Sequence, residues 1–185
     1  MDDSRLAALT GWFEAQGWEP FGFQREVWRA SLGGESGLVH AATGTGKTYA
    51  AWFAGLQQWL RDQPADVPLA ELPTPKLQVL WLTPLRALAA DTEQALRKPI
   101  DELGLNWTIE RRTGDTSSYR KQKQLKKPPS ALITTPESLS LLLGCLDWAV
   151  VRCSSNDSSM PEWTTFKIRK NSSSQEIKEK SFREW

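Results

Sequence analysis

Seven consecutive residues, Ala42-Thr43-Gly44-Thr45-Gly46-Lys47-Thr48, carry the most specific chemistry in this chain. Two glycines spaced by one residue permit a tight turn whose backbone N–H groups point at an anion. A lysine follows to meet the outer phosphates of a nucleotide, and Thr48 supplies a hydroxyl for magnesium. The apolar run Gly37-Leu38-Val39-His40-Ala41 ahead of the loop reads as a strand feeding it. Behind it, Tyr49, Trp52, Phe53, Leu56, Trp59 and Leu60 recur at three- and four-residue intervals, the apolar face of a helix packing on a sheet. The implied ligands are a nucleoside triphosphate and Mg2+. Several enzyme classes share such a loop, so the remaining residues must choose among them.

Those residues repeat one grammar. Leu77-Gln78-Val79-Leu80-Trp81-Leu82 is a nearly continuous apolar run of the kind buried in a parallel sheet, and it stops at Thr83-Pro84. Thr83 as N-cap and Pro84 in the first turn predict a helix over 85–98, with Leu85, Leu88, Ala89, Thr92 and Leu96 inward. A strand over 107–112 ends in Thr113-Gly114-Asp115-Thr116, and a polar basic helix over 117–127 follows. Ala131-Leu132-Ile133-Thr134 is the next strand, and Thr135-Pro136-Glu137 opens a helix through Leu139, Leu142 and Leu143. Upstream, a helix capped near Asp3 or Ser4 presents Leu6, Leu9, Trp12 and Phe13 and stops at Gly17; a second covers 24–31 and closes at Gly33-Gly34. Strands alternating with helices predict an α/β fold with a parallel sheet covered on both faces. In such a sheet the three threonine turns gather along one edge, where free N–H groups and hydroxyls would suit successive backbone phosphates.

Bulk properties bound the answer without choosing a partner. The chain has 185 residues, is 39% hydrophobic and carries a net charge of +1, enough for one core and no electrostatic preference. Cys145 and Cys153 have no metal-ligand spacing and imply no disulfide framework. With no signal-peptide core and no long apolar run, the expected setting is soluble and cytoplasmic.

Five runs in order resemble the first motor domain of superfamily 2 helicases, and within them the Lhr-like, ligase-associated DExH-box DNA helicases of prokaryotes. They are Trp18 to Gln24, His40 to Thr48, Leu82 to Leu88, Arg112 to Thr116 and Thr134 to Leu139. Alanine at position 41, with Gly44 and Gly46, is the form common in such motors. The resemblance implies a RecA-like sheet, ATP and Mg2+ as cofactors, nucleic acid (DNA above RNA) as partner, and an association with DNA-repair proteins such as a ligase. It places Gln24 on the adenine edge with Phe21 or Phe23 packing near the base. Thr43, Gly44, Thr45, Gly46, Lys47 and Thr48 would bind the phosphates, and Thr48 would also ligate the metal. Thr83, Pro84 and Arg86, then Thr113, Gly114 and Asp115, then Thr135, Pro136, Glu137 and Ser138 would meet the nucleic-acid backbone. Residues 1–35 would form N-terminal helices with the adenine motif, and 36–143 a partial motor domain.

Other residues receive plainer readings. His40, at the end of its strand, is a packing residue, and most of the ten tryptophans fall at core spacing. The segment from Arg111 to Lys127 holds seven basic residues against Asp115 alone; a solvated face and a phosphate-binding face both fit it. After Leu143 the Asp-Glu-x-His motif of the family is missing, and Asp147 lacks both its glutamate and an apolar strand before it. Positions 154–185 hold eight serines and seven hydrophobic residues, a composition too polar to finish a sheet. Residues 144–185 are therefore expected to be a divergent, poorly ordered tail on a truncated or frameshifted motor domain, which binds ATP without unwinding DNA and contains no catalytic residue. The alternative is a non-hydrolysing ATP- or DNA-binding module.

Overall fold

The computed structural model describes residues 3–143, 150–152 and 164–169. Three short strands, β1 (Val79–Leu82), β2 (Ile109–Arg112) and β3 (Ala131–Thr134), pair in parallel in the order β2-β3-β1. The register sets Leu82 and Arg112 both opposite Thr134, so the three strands end level. Every residue of β1 and β3 is buried, as a strand covered on both faces requires.

Side chains alternate along these strands and feed two separate cores. Val79 and Trp81 of β1, with Ala131 and Ile133 of β3, join the larger cluster with Trp52, Phe53, Leu56 and Leu60 of α3 (Lys47–Arg61). That face also receives α1 (Asp3–Ala15), α2 (Gly22–Leu32) and α4 (Arg86–Glu102), through Leu9, Trp28 and Leu96 among others. Leu80, Leu82 and Leu132 point the other way and meet Leu139 and Leu142 of α6 (Pro136–Leu143), with Leu125 of α5 (Ser118–Lys126) alongside. The α/β class with helices on both faces is thus as the alternation predicts. Tryptophan is mainly core: Trp12, Trp28, Trp52, Trp59, Trp81 and Trp107 are buried, and Trp18 is half exposed.

Four sequence expectations need correction. Residues 37–41 form no strand; they are irregular, with Leu38 and His40 exposed, so His40 is not a packing residue. A strand is defined by its place in a ladder of backbone bonds, and this run is not among the described strands of the sheet. Thr83 does not cap α4. Pro84 and an extended Leu85 (φ −116°, ψ 128°) intervene, Leu85 is the N-cap, and its side chain is exposed rather than inward. The helix also runs past Pro99, a buried residue, to Glu102. Finally, the tail does contribute strands: β5 (Thr164–Arg169) lies antiparallel on the outer edge of β1, and β4 (Val150–Arg152) pairs with β5. An open edge of β1 offers unpaired N–H and C=O groups to any extended segment whatever its polarity, which composition alone does not register. Cys145, Asp147 and Cys153 lie outside the described residues.

Candidate nucleotide and nucleic-acid site

The phosphate loop sits where α3 begins. Gly44 and Gly46 have φ of 81° and 82°, a left-handed backbone that disfavours any side chain, and Gly46 is the N-cap of α3. No side chain caps that end, so the helix presents its first turn to an anion. Lys47 donates from Nζ to the carbonyls of Ala41 (2.5 Å) and Ala42 (3.0 Å), and the Thr45 hydroxyl donates to Ala42 O (2.7 Å). These bonds fold residues 41–47 into a closed loop. Thr43 and Gly44 are exposed on it, while Lys47 and Thr48 are half-buried at its base. The donor set fits a triphosphate with magnesium: a left-handed glycine turn, a helix N-terminus, one ammonium and one hydroxyl.

Gln24 ties this loop to the rest of the molecule. It is buried, its Oε1 accepts from the Phe21 N–H (2.8 Å), and its Nε2 donates to Gly46 O (3.0 Å). The side chain is therefore the bracket between the start of α2 and the hinge of the loop, a role its identity alone does not reveal. A Cβ built on Gly46 would stand 2.8 Å from Gln24 Nε2, so glycine is needed there for space as well as for φ. Phe21 and Phe23 stack with centroids 6.0 Å apart and planes 15° from parallel, and Phe21 is exposed as a flat apolar face beside the bracket. Further anchoring comes from Trp28, whose Nε1 donates to Ala50 O (3.0 Å) in the first turns of α3.

The three threonine turns do meet on one edge. Thr83 N–H donates to Thr134 O (2.9 Å) and the Thr134 hydroxyl donates to Arg112 O (2.7 Å), which links all three strand ends. Their hydroxyls do not form the expected open array, because Thr83, Thr113 and Thr135 are buried. Thr83 Oγ1 donates to Leu85 O, and Thr135 Oγ1 accepts from the Ser138 N–H, so local turn geometry consumes both. Ser138 is buried with them. What the edge exposes is Pro84, Arg86, Gly114, Asp115, Pro136 and Glu137. Arg86 pairs with Asp115 (3.1 Å) and lies over Gly114, where a Cβ would meet its guanidinium at 2.7 Å. The Glu137 carboxyl is held below its ordinary range first by its own main-chain N–H, then by the Thr135 hydroxyl and the Arg86 charge, with desolvation opposing.

The likenesses to known proteins follow this geometry. The family model described as DEAD/DEAH box helicase matches residues 21–157. The chain is 40% identical over 150 residues to the Lhr helicase/probable uracil glycosylase of Mycolicibacterium smegmatis, covering 75% of this chain and 10% of that protein. It is 37% identical over 120 residues to the ATP-dependent helicase Lhr-Core of Methanocaldococcus jannaschii, covering 60% and 14%. The chain thus spans only about a tenth of the curated relatives it matches. Among solved structures, Mycobacterium smegmatis helicase Lhr bound to ssDNA and AMP-PNP superposes with a TM-score of 0.55 at 35% identity, covering 73% of this chain and 17% of that one. The DUF1998 helicase MrfA gives 0.60 at 27%, covering 74% and 20%. No helix among the described residues is long and apolar enough to cross a membrane.

Proposed function

The chain belongs to the DEAD/DEAH box helicase family, and from that premise we propose that it forms the ATP-binding part of a DNA helicase motor. The observation that carries this reading is the phosphate loop at the head of α3, bracketed by Gln24 to the exposed Phe21 face. Gly44, Thr45 and Gly46 would hold the phosphates by backbone N–H groups, with Thr43 exposed beside them. Lys47 would swing from its carbonyl partners to the outer phosphates, and Thr48 would ligate magnesium. The metal, when bound, offsets charge on the phosphate oxygens. Phe21, with Phe23 behind it, would carry the adenine ring, and Gln24 would use the remaining hydrogen of its amide to read the base edge. On the far edge, Arg86, Gly114, Asp115, Pro136 and Glu137 would face a nucleic-acid backbone. DNA is the polymer we favour, and DNA-repair proteins such as a ligase are the partners and the cytoplasm the setting that the resemblance implies.

We further propose that these 185 residues bind ATP without turning it over. Their only Asp-Glu pair, Asp101-Glu102, closes α4, where Glu102 accepts from Trp12 Nε1 (2.7 Å). Glu102 is engaged by Trp12 and by Gln16 Nε2 (3.0 Å), a structural role. Charge stabilisation from an arginine finger alone is worth about a thousandfold or more in this chemistry. Radiolabelled ATP, filtered for binding and chromatographed for released phosphate with and without single-stranded DNA, tests both halves. Binding without release is expected; release abolished by Lys47→Ala would refute the non-hydrolysing reading.

A further inference from the structure

Helix α5 carries a feature that neither the phosphate loop nor the strand-end turns require. Its sequence, Ser-Tyr-Arg-Lys-Gln-Lys-Gln-Leu-Lys, contains no acid. Gln124 is its buried residue, bonded through Nε2 to Glu110 (2.8 Å) and to Arg111 O (3.1 Å), and this fixes which way the helix faces. At 100° per residue, Tyr119, Lys123 and Lys126 then form a stripe at i, i+4 and i+7 on the side away from Gln124. All three are exposed, Tyr119 at 77%, with exposed Arg120 and Lys127 flanking them. Among the described residues none of these four cations has an ion-pair partner. The nearby acids are engaged elsewhere: Asp115 by Arg86, Glu110 by Gln124 and Glu93 by Arg97 and Arg111.

From this placement we infer that the Tyr119–Lys123–Lys126 stripe is a second contact for single-stranded nucleic acid, extending the path from the Thr113–Thr116 turn along α5. It rests on the reading that the strand-end turns meet a nucleic-acid strand. Helix α5 leaves that turn directly through the Ser117 cap, and Lys121 Nζ donates back to Gly114 O (3.2 Å), so turn and helix are one rigid unit. Tyr119 to Lys126 spans about 10 Å along the axis. That is the length of three stacked nucleotides at ~3.4 Å each. A large exposed ring between cations is the arrangement that binds a strand with its bases accessible, the ring stacking on a base while the ammoniums follow the phosphates. A duplex offers no such base face, which selects a single strand.

Fluorescence anisotropy of a fluorescein-labelled oligothymidylate, titrated with the full chain across a range of salt, tests this. Removing two phosphate contacts by Lys123→Gln with Lys126→Gln should lower the slope of log K against log salt by about 1.4 and weaken binding about 25-fold at 0.1 M. Tyr119→Ala should cost about fivefold or more, Tyr119→Phe should restore it, and an abasic spacer probe should bind wild type as weakly as it binds Tyr119→Ala. All these side chains are exposed, so unchanged circular dichroism melts should accompany the variants. Arg86→Gln reports on the turns independently. If Arg86→Gln weakens binding while the α5 variants keep wild-type affinity and slope, the stripe is overturned and the turn reading stands. The reverse pattern overturns the turn reading and leaves the stripe as a site of its own. Wild-type protein that fails to bind, or binds duplex equally with no effect of Tyr119→Ala, overturns the stripe.

Discussion

The bracket between α2 and the phosphate loop makes a quantitative prediction, because one side chain is bonded at both ends and buried. Gln24→Ala removes the bonds to Phe21 N–H and Gly46 O, about 1 kcal/mol each, and the side-chain methylenes add roughly another. The expected loss is about 3 kcal/mol, or roughly a 10 °C fall in Tm for a body of this size. Gly46→Ala should cost about 2 kcal/mol: about 1 for a side chain at φ 82° and about 1 for displacing the Gln24 amide, which a Cβ would meet at 2.8 Å. Both substitutions break the same contact, so the double variant should lose at least ~1 kcal/mol less than the sum. Urea denaturation of the four proteins measures this cycle directly. Losses that add to within about 0.5 kcal/mol would show the two residues to be energetically independent and would refute the bracket.

Two further outcomes follow from the strand-end edge. Gly114→Ala should push Arg86 off the turn, since its guanidinium lies 2.7 Å from the new Cβ; the exposed Arg86–Asp115 pair is worth little in stability, so the melt should move by under about 1 kcal/mol while single-strand affinity falls. Unchanged affinity would separate Arg86 from the binding edge. The Glu137 carboxyl should titrate below the ordinary ~4.3 in carbon-detected NMR, and Thr135→Val should move it upward. Because the folded value is depressed, its contribution is fully present above the ordinary carboxylate pKa and is lost as pH falls through the folded one. A Glu137 titration unchanged by Thr135→Val would remove the hydroxyl from the account.

Much of this arrangement was legible from local pattern. Unbroken apolar runs located β1 and β3 because strands buried on both faces have no polar side to show, and Ala131–Thr134 matches the expected span in full. Helix spacing located α3 and its core residues. The run at 37–41 failed for a non-local reason: its apolar character describes what a strand would bury, whereas its existence depends on a paired neighbour. Thr83 failed as a cap because Leu85 stays extended and takes the N-cap position, so the hydroxyl is spent two residues on instead. The double engagement of Gln24 and the burial of Thr83, Thr113 and Thr135 are tertiary facts with no signature in spacing. The α5 stripe, by contrast, was visible as charge and needed only the buried Gln124 to orient it.

The proposed grip of residues 42–48, at the head of α3, on the phosphates of ATP runs through Lys47. Isothermal titration of ATP with magnesium into wild type and Lys47→Ala, with GTP as the parallel ligand, tests it most directly. A charge-assisted contact to phosphate is worth about 1.5–3 kcal/mol, so Lys47→Ala should bind both nucleotides at least tenfold more weakly than wild type, with ATP preferred over GTP in both proteins because the base is read at Gln24 and Phe21. Equal heats and affinities for the two proteins would contradict the account.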